Sequence, residues 1–225
     1  MKTLKDPDIH EQIARRCLAF HFKISDSLIN YRDRPDLETI INGNSIGIEV
    51  TAAIDSDESH IASIINREKD AESKGKNIDK IVNKSLNYDK KNNSGIHGFS
   101  RLLHDGKKFG HSLWVENPVK LVKSSIKKKS QKIDSYTSFD QQWLYVRCVN
   151  QILEVHDISE IREYIENTAV PYNVVCVEHS TSLLLFYIDG SRFEDLKFPE
   201  SFRVENASLS KKWHHDKAAR KNMNL

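Results

Sequence analysis

The sequence predicts an α/β protein in which helices cover a central sheet. Three observations carry this: an Asn-Gly hairpin signal in "LETIINGNSIGIEV", near-continuous apolar strands in the C-terminal half, and amphipathic helical stretches between them. Residues 7–22 read as a first helix, with Asp6 or Asp8 as cap, Pro7 in the first turn, and Ile9, Ile13, Cys17 and Phe20 on one face. The hairpin follows, two strands joined at Asn42-Gly43. Pro118 can open a second helix running to about Ile133. "QQWLYVRCV" (141–149) is a strand, "ISEIREYIEN" (158–167) a short helix, and "YNVVCVEH" and "SLLLFYID" two further strands. Their unbroken apolar character implies burial on both faces of the sheet.

Residues 56–112 break this pattern. They are rich in Lys, Asp, Asn, Ser and Gly, helical in character over about 58–85, and "NYDKKNNSGIHGFS" reads as a loop. The expected organisation is one domain over 1–207 with 56–112 as a polar insertion, then a basic tail over 208–225, a frayed helix or arm.

Bulk composition narrows the function classes. The chain has 225 residues, is 38% hydrophobic and 29% charged, and carries a net charge of +2, which excludes a uniformly basic nucleic-acid coat but not a local patch. Cys17, Cys148 and Cys176 are far apart and lie in apolar runs, as buried reduced thiols would. The first residues have no apolar leader-like core and no run approaches membrane-span length. A cytoplasmic location without membrane association is expected.

The chemistry concentrates in "RPDLETIINGNSIGIEVT", residues 34–51. Pro35 disfavours helix at Arg34 and suits the start of a strand, placing Asp36 at its head. On the second strand Ile46, Ile48 and Val50 alternate into the core, so Glu49 shares the other face with Gly47 and Thr51. Two carboxylates, Asp36 and Glu49, with a backbone carbonyl form a hard-oxygen set of the kind that holds Mg²⁺ or Mn²⁺. Such an ion polarises a phosphoryl oxygen and lowers the pKa of bound water. The alternative is a pair of ordinary surface charges on a hairpin with one wet face.

"PD", a hairpin and "GIEVT" together resemble the core motif of the PD-(D/E)xK nuclease superfamily, which has the restriction-endonuclease-like fold, a mixed central sheet flanked by helices. The resemblance implies that Asp36 and Glu49 bind the metal, with the Val50 carbonyl a third ligand. The superfamily places a lysine two residues after the glutamate, and Thr51 stands there instead.

Helical periodicity offers a replacement. Val119, Val122, Ile126, Ile133 and Tyr136 fall within about a third of the helix circumference, Lys129 falls inside that stripe, and Lys132 sits at its edge. An amine on a core-facing stripe needs a partner, which a carboxylate pair would supply, or it must snorkel to solvent. "IKKKSQKIDSY" followed by "FDQQWLYV" is similar to a bacterial and prophage group of the superfamily whose motif reads E-V-T. In that group the helix lysines align with Lys129 and Lys132, which implies that they stabilise phosphate charge or position the attacking water. Lys69 is a rival donor.

Lys120, Lys123, Lys127 and Lys128 extend a basic patch that could neutralise backbone phosphates without reading bases, or simply be a solvated helix face. Lys211, Lys212, Lys217, Arg220 and Lys221 add positive charge in the tail. Glu11 is a possible extra acid on the first helix, though it lies off the Ile9/Ile13/Cys17 stripe. His97, His104, His111 and the His214-His215-Asp216 run are weaker metal candidates, since no cysteine or further histidine completes a site. The expected function is divalent-metal-dependent phosphodiester hydrolysis in DNA, with a homodimer compatible. The alternatives are a catalytically silent nucleic-acid-binding module and an RNA-directed nuclease.

Overall fold

The structure, a computed structural model, is described over residues 7–53, 117–133, 138–148 and 152–223, with side chains beyond Trp213 and at position 211 left aside. The chain divides into two compact units, Met1–Ala53 with Pro118–Leu225, and Ile54–Asn117. The expected helix over 58–85, the loop after it, Lys69, Tyr136 and the histidines at 97, 104 and 111 lie outside the described residues.

Helix α1 spans Ile9–Phe22. Asp8 caps it through a reciprocal capping box with Glu11, and Lys23 closes it in the left-handed region at φ 52°. Strands β1 (Asn30–Tyr31), β2 (Leu37–Ile41) and β3 (Asn44–Ala53) form an antiparallel meander. The β2–β3 turn holds Asn42 at φ 52° and Gly43 at φ 82°, the two positive values a tight hairpin turn needs. Helix α2 (Pro118–Ser130) leads to β4 (Gln141–Cys148), and α3 (Val155–Asn167) leads to β5 (Val174–His179). Strands β6 (Ser182–Tyr187) and β7 (Phe193–Lys197) return antiparallel, and α4 (Glu200–Met223) follows.

All seven strands lie in one sheet in sequence order. Its centre is parallel, β3 beside β4 beside β5, because each step there crosses through a helix. Both margins are antiparallel, joined by short turns. The protein is thus an α/β fold with a mixed sheet flanked by helices, as the sequence predicts.

Two apolar layers fix the register. On one face Ile46, Ile48, Val50, Trp143, Tyr145 and Cys176 pack against Ile9, Ile13, Cys17 and Leu18 of α1, with Phe202 and Leu209 of α4 alongside. On the other, Leu144, Val146, Val175, Val177 and Leu184 pack against Val119, Val122 and Ile126 of α2 and Ile161 and Ile165 of α3. A one-residue slip of β3 would exchange Ile46, Ile48 and Val50 for Gly47, Glu49 and Thr51. Burial contributes about 1.5–3 kcal/mol for each side chain of this type, so the observed register wins decisively.

Several boundaries differ from expectation. α2 ends at Ser130 rather than near Ile133, and α3 begins at Val155 rather than 158. The tail continues a longer helix: α4 starts at Glu200, where Phe202 packs on Phe20 (centroids 4.5 Å) and Glu205 pairs with Arg16 (2.8 Å). Its anchors precede the basic stretch, so the lysine-rich composition at 208–225 hides the helix start. Strands β1 and β7 were not anticipated, being short and polar. Arg34 is not extended but sits at φ +70°, before a cis peptide bond to Pro35. All three cysteines are free and buried. Among the described residues no helix is long and apolar enough to cross a membrane.

Candidate functional site

Asp36 and Glu49 meet because the hairpin puts them opposite each other. The last β2–β3 pair is Leu37↔Ile48, and one further step of the same register joins Asp36 to Glu49. Asp36 Oδ2 accepts a hydrogen bond from the Val50 N–H at 2.7 Å. In an antiparallel ladder the N–H and C=O of one residue face the same edge. The Val50 carbonyl is therefore turned toward the side that holds Asp36.

Gly47 makes the approach possible. A Cβ at this position would lie 2.8 Å from Pro35 Cγ and 2.6 Å from Phe139 Cδ2, so only glycine lets both rings rest on the strand. Pro35 is buried there, directly before Asp36. Phe139 is held by its neighbour: Asp140 Oδ2 accepts from the Ser45 N–H (2.8 Å) and the Ser45 hydroxyl (2.7 Å).

Lys129 reaches the site from α2. Val119, Val122 and Ile126 bury the stripe, and the next position along it is Lys129. Its Nζ donates to Glu49 Oε1 in a close ion pair, with side-chain exposures of 21% for Lys129 and 8% for Glu49. The two partners are 80 residues apart in sequence. Lys129 does not snorkel, because Glu49 supplies a counter-charge nearer than solvent.

The electrostatics remain lopsided, with two carboxylates to one ammonium. Burial pushes the Asp36 carboxyl up to about 6; the Glu49 charge pushes the same way, and the Val50 N–H and Lys129 pull against it. Asp8 adds further negative potential. Glu49 Oε2 is buried and, among the described residues, has no hydrogen-bond partner. A buried carboxylate oxygen in that condition is costly unless a cation or donor reaches it. The donor set therefore fits a hard divalent cation: Asp36 and Glu49 would hold it, with the Val50 carbonyl beside them and water completing the shell. No group of three or more His, Cys, Asp or Glu side chains suited to a metal occurs among the described residues.

The other predicted residues are distributed as follows. Lys132 lies just past α2, exposed, its N–H on the Lys129 carbonyl. Lys123 is engaged with Glu160 of α3 at 2.6 Å and sits over the Tyr164 ring. Lys120, Lys127 and Lys128 are exposed on α2. Glu11 accepts from the Asp8 N–H at 3.1 Å, so its carboxylate serves the helix cap, and the acid of α1 that influences Asp36 is Asp8. The side chains of His214, His215 and Asp216 lie outside the described residues.

Sequence reasoning missed Tyr172. Its hydroxyl is buried without a partner among the described residues, and its titration is raised first by burial, then by the charges of Glu49 and Asp36. Nothing in "PYNVV" signals this, because Tyr172 precedes β5 and its position depends on β4 and β5 aligning. Phe139 was also missed, for the same reason.

No family model, no curated protein and no solved structure matches the chain.

Proposed function

We propose that this protein is a divalent-metal-dependent nuclease acting on DNA, with a restriction-endonuclease-like core. The observation that carries the reading is the ion pair of Lys129 with Glu49, beside Asp36. It unites a carboxylate hairpin with the amine absent at Thr51. When bound, Mg²⁺ or Mn²⁺ would supply a polarised phosphoryl oxygen and an acidified water. Asp36 and Glu49 would hold the ion, and the Val50 N–H fixes the Asp36 carboxylate in place. Lys129, beside Glu49, orients the water or balances phosphate charge, and the exposed lysines of α2 take up neighbouring backbone phosphates.

One feature favours the catalytically silent module. Lys129 already gives Glu49 a counter-ion without any metal. Cleavage of a DNA substrate in Mg²⁺ or Mn²⁺, with and without chelator, separates the two. The nuclease reading expects cleavage that chelator abolishes, and loss of it in Asp36→Ala and Glu49→Ala with unchanged circular dichroism. Salt-sensitive binding indifferent to metal and to both substitutions would establish the silent module instead.

A further inference from the structure

The face that carries Asp36 and Glu49 continues along the hairpin, away from the α2 helix. Asp36, Glu38 and Ile40 alternate onto that face of β2, and Glu49, Gly47 and Ser45 onto that face of β3. The pairs Glu38↔Gly47 and Ile40↔Ser45 join the rows, and Asn30↔Glu38 extends them to β1. Here a groove of about 390 Å³ follows this face to the edge of the sheet beyond β1, lined by Leu28, Asn30, Glu38, Ile40, Ser45 and Phe139, with Ser27 and the inward-facing Thr39 at its rim. Ile40 is 71% exposed and Leu28 57%, although both are large apolar side chains. At about 3.3 Å per residue the groove begins roughly 7 Å from the carboxylates and runs to roughly 13 Å. A nucleic-acid strand covers that span in a few nucleotides.

The lining selects the occupant. Glu38 is the one charged side chain among these lining residues, and it is paired with Arg32, whose guanidinium also lies 5.4 Å from the Phe139 ring centroid. Glu38 neutralises the Arg32 guanidinium, so a phosphate meets no net positive charge there, whereas the guanidinium beside Phe139 offers a flat surface to a base. Apolar surface from Leu28, Ile40 and Phe139 stands beside the side-chain amide of Asn30, while Ser45 is taken up by Asp140. That combination matches a nucleobase, which is apolar on its faces and polar at its edge. A base can occupy such a groove only when it is out of a duplex stack.

We propose that this groove is a nucleobase subsite, and that the substrate is a DNA strand with an unpaired base a few nucleotides from the cleaved phosphate. The proposal rests on the nuclease reading of Asp36 and Glu49. It extends that reading from reaction type to substrate class: single-stranded or locally unpaired DNA.

The test is equilibrium binding in chelator, where no cleavage intervenes. The probes are a fluorescent single strand of DNA, its duplex, the same strand bearing abasic sites, and the RNA strand of the same sequence. Against the parent protein the intact DNA single strand is expected to bind about tenfold more tightly than the duplex or the abasic strand. Ile40→Asp and Phe139→Ala should each remove most of that difference. Ile40 is exposed, so its variant keeps the fold even if Phe139→Ala does not, and circular dichroism checks both. Equal binding of single strand and duplex overturns the proposal, as does an Ile40→Asp protein that binds like the parent. Tighter binding of the RNA strand overturns the choice of DNA. If the groove arm fails while Asp36→Ala still abolishes metal-dependent cleavage, the subsite alone is lost. If the groove arm holds and no metal-dependent cleavage exists, the nuclease reading alone is lost.

Discussion

Two carboxylates are buried in this sheet on opposite faces, and each has a cation beside it. Glu178 on β5 faces α1. Arg147 Nε donates to both of its oxygens at 3.1 Å, and the Tyr145 hydroxyl donates to Oε2 at 3.0 Å. Arg147 in turn is 3.2 Å from His10 Nδ1. Glu49 on β3 faces α2, with Lys129 on one oxygen, nothing among the described residues on the other, and a second acid next to it. Both sites are ion pairs of similar depth. Glu178 is satisfied, as a structural network must be, and Glu49 is not. Under-satisfaction beside a like charge leaves Glu49 with room for a further partner, which the completed Glu178 network does not have.

The widest separation should come from isosteric neutralisation of each acid. Glu49→Gln is expected to lower metal-dependent cleavage at least a thousandfold, about 4 kcal/mol in activation free energy, read from initial rates. Glu178→Gln leaves the proposed site untouched and strands Arg147 in partial burial. Its expected signature is a loss of about 3 kcal/mol in urea-unfolding stability, with cleavage retained wherever the protein is folded. If the two substitutions exchange phenotypes, the roles assigned to the two faces are reversed.

The next effect is pH dependence. The Asp36 carboxyl titrates near 6 when folded and near its ordinary value of 3.8 when unfolded, so between these values the folded state binds the extra proton. Its contribution to stability is fully present below about pH 4 and is lost as pH rises through about 6. The shift is roughly two units, or about 3 kcal/mol. Asp36→Asn should therefore be more stable than the parent at pH 7.5, by up to that amount, and the gap should close toward pH 4. Metal binding demands the opposite protonation, so divalent-cation affinity of the parent should rise through the same window. Calorimetric titration at pH 5 and pH 7.5 checks it. Glu178 is also pushed up, by burial first, and adds a slope of the same sign, which the comparison with Asp36→Asn cancels.

The smallest contrast is between two hydroxyls. Tyr145→Phe removes a donor from Glu178 and should cost about 1–3 kcal/mol. Tyr172→Phe removes a buried hydroxyl without a partner among the described residues, and its effect on thermal stability should stay within about 1 kcal/mol of zero.

What could be read from the sequence follows from periodicity and local chemistry. The hairpin was legible because Asn42-Gly43 forces its turn, and the alternation of Ile46, Ile48 and Val50 fixes which way Glu49 points. Lys129 was legible because a 3.6-residue period places it on the same stripe as Val122 and Ile126. The ion pair of Lys123 with Glu160 was not legible, since Glu160 lies on another helix and no local pattern pairs them. Phe139 and Tyr172 were invisible for a related reason. Each is placed by alignment between strands distant in sequence, through Ser45 with Asp140 in one case and Gln142 with Asn173 in the other. Arg34 departs from its local preference because tertiary packing of Pro35 on Gly47 outweighs it.

The 80-residue separation of Glu49 and Lys129 also orders events during synthesis. The hairpin with both carboxylates is complete once β3 has left the ribosome, whereas α2 follows only after the whole Ile54–Asn117 unit has been made. A nascent chain halted within that unit has both acids but not yet Lys129. The loop that must close to bring Lys129 home is long, and closing it slows with contact order. The newborn protein thus passes through an interval in which Asp36 and Glu49 have been made without the partner that Glu49 has in the folded chain, and Lys129 ends that interval.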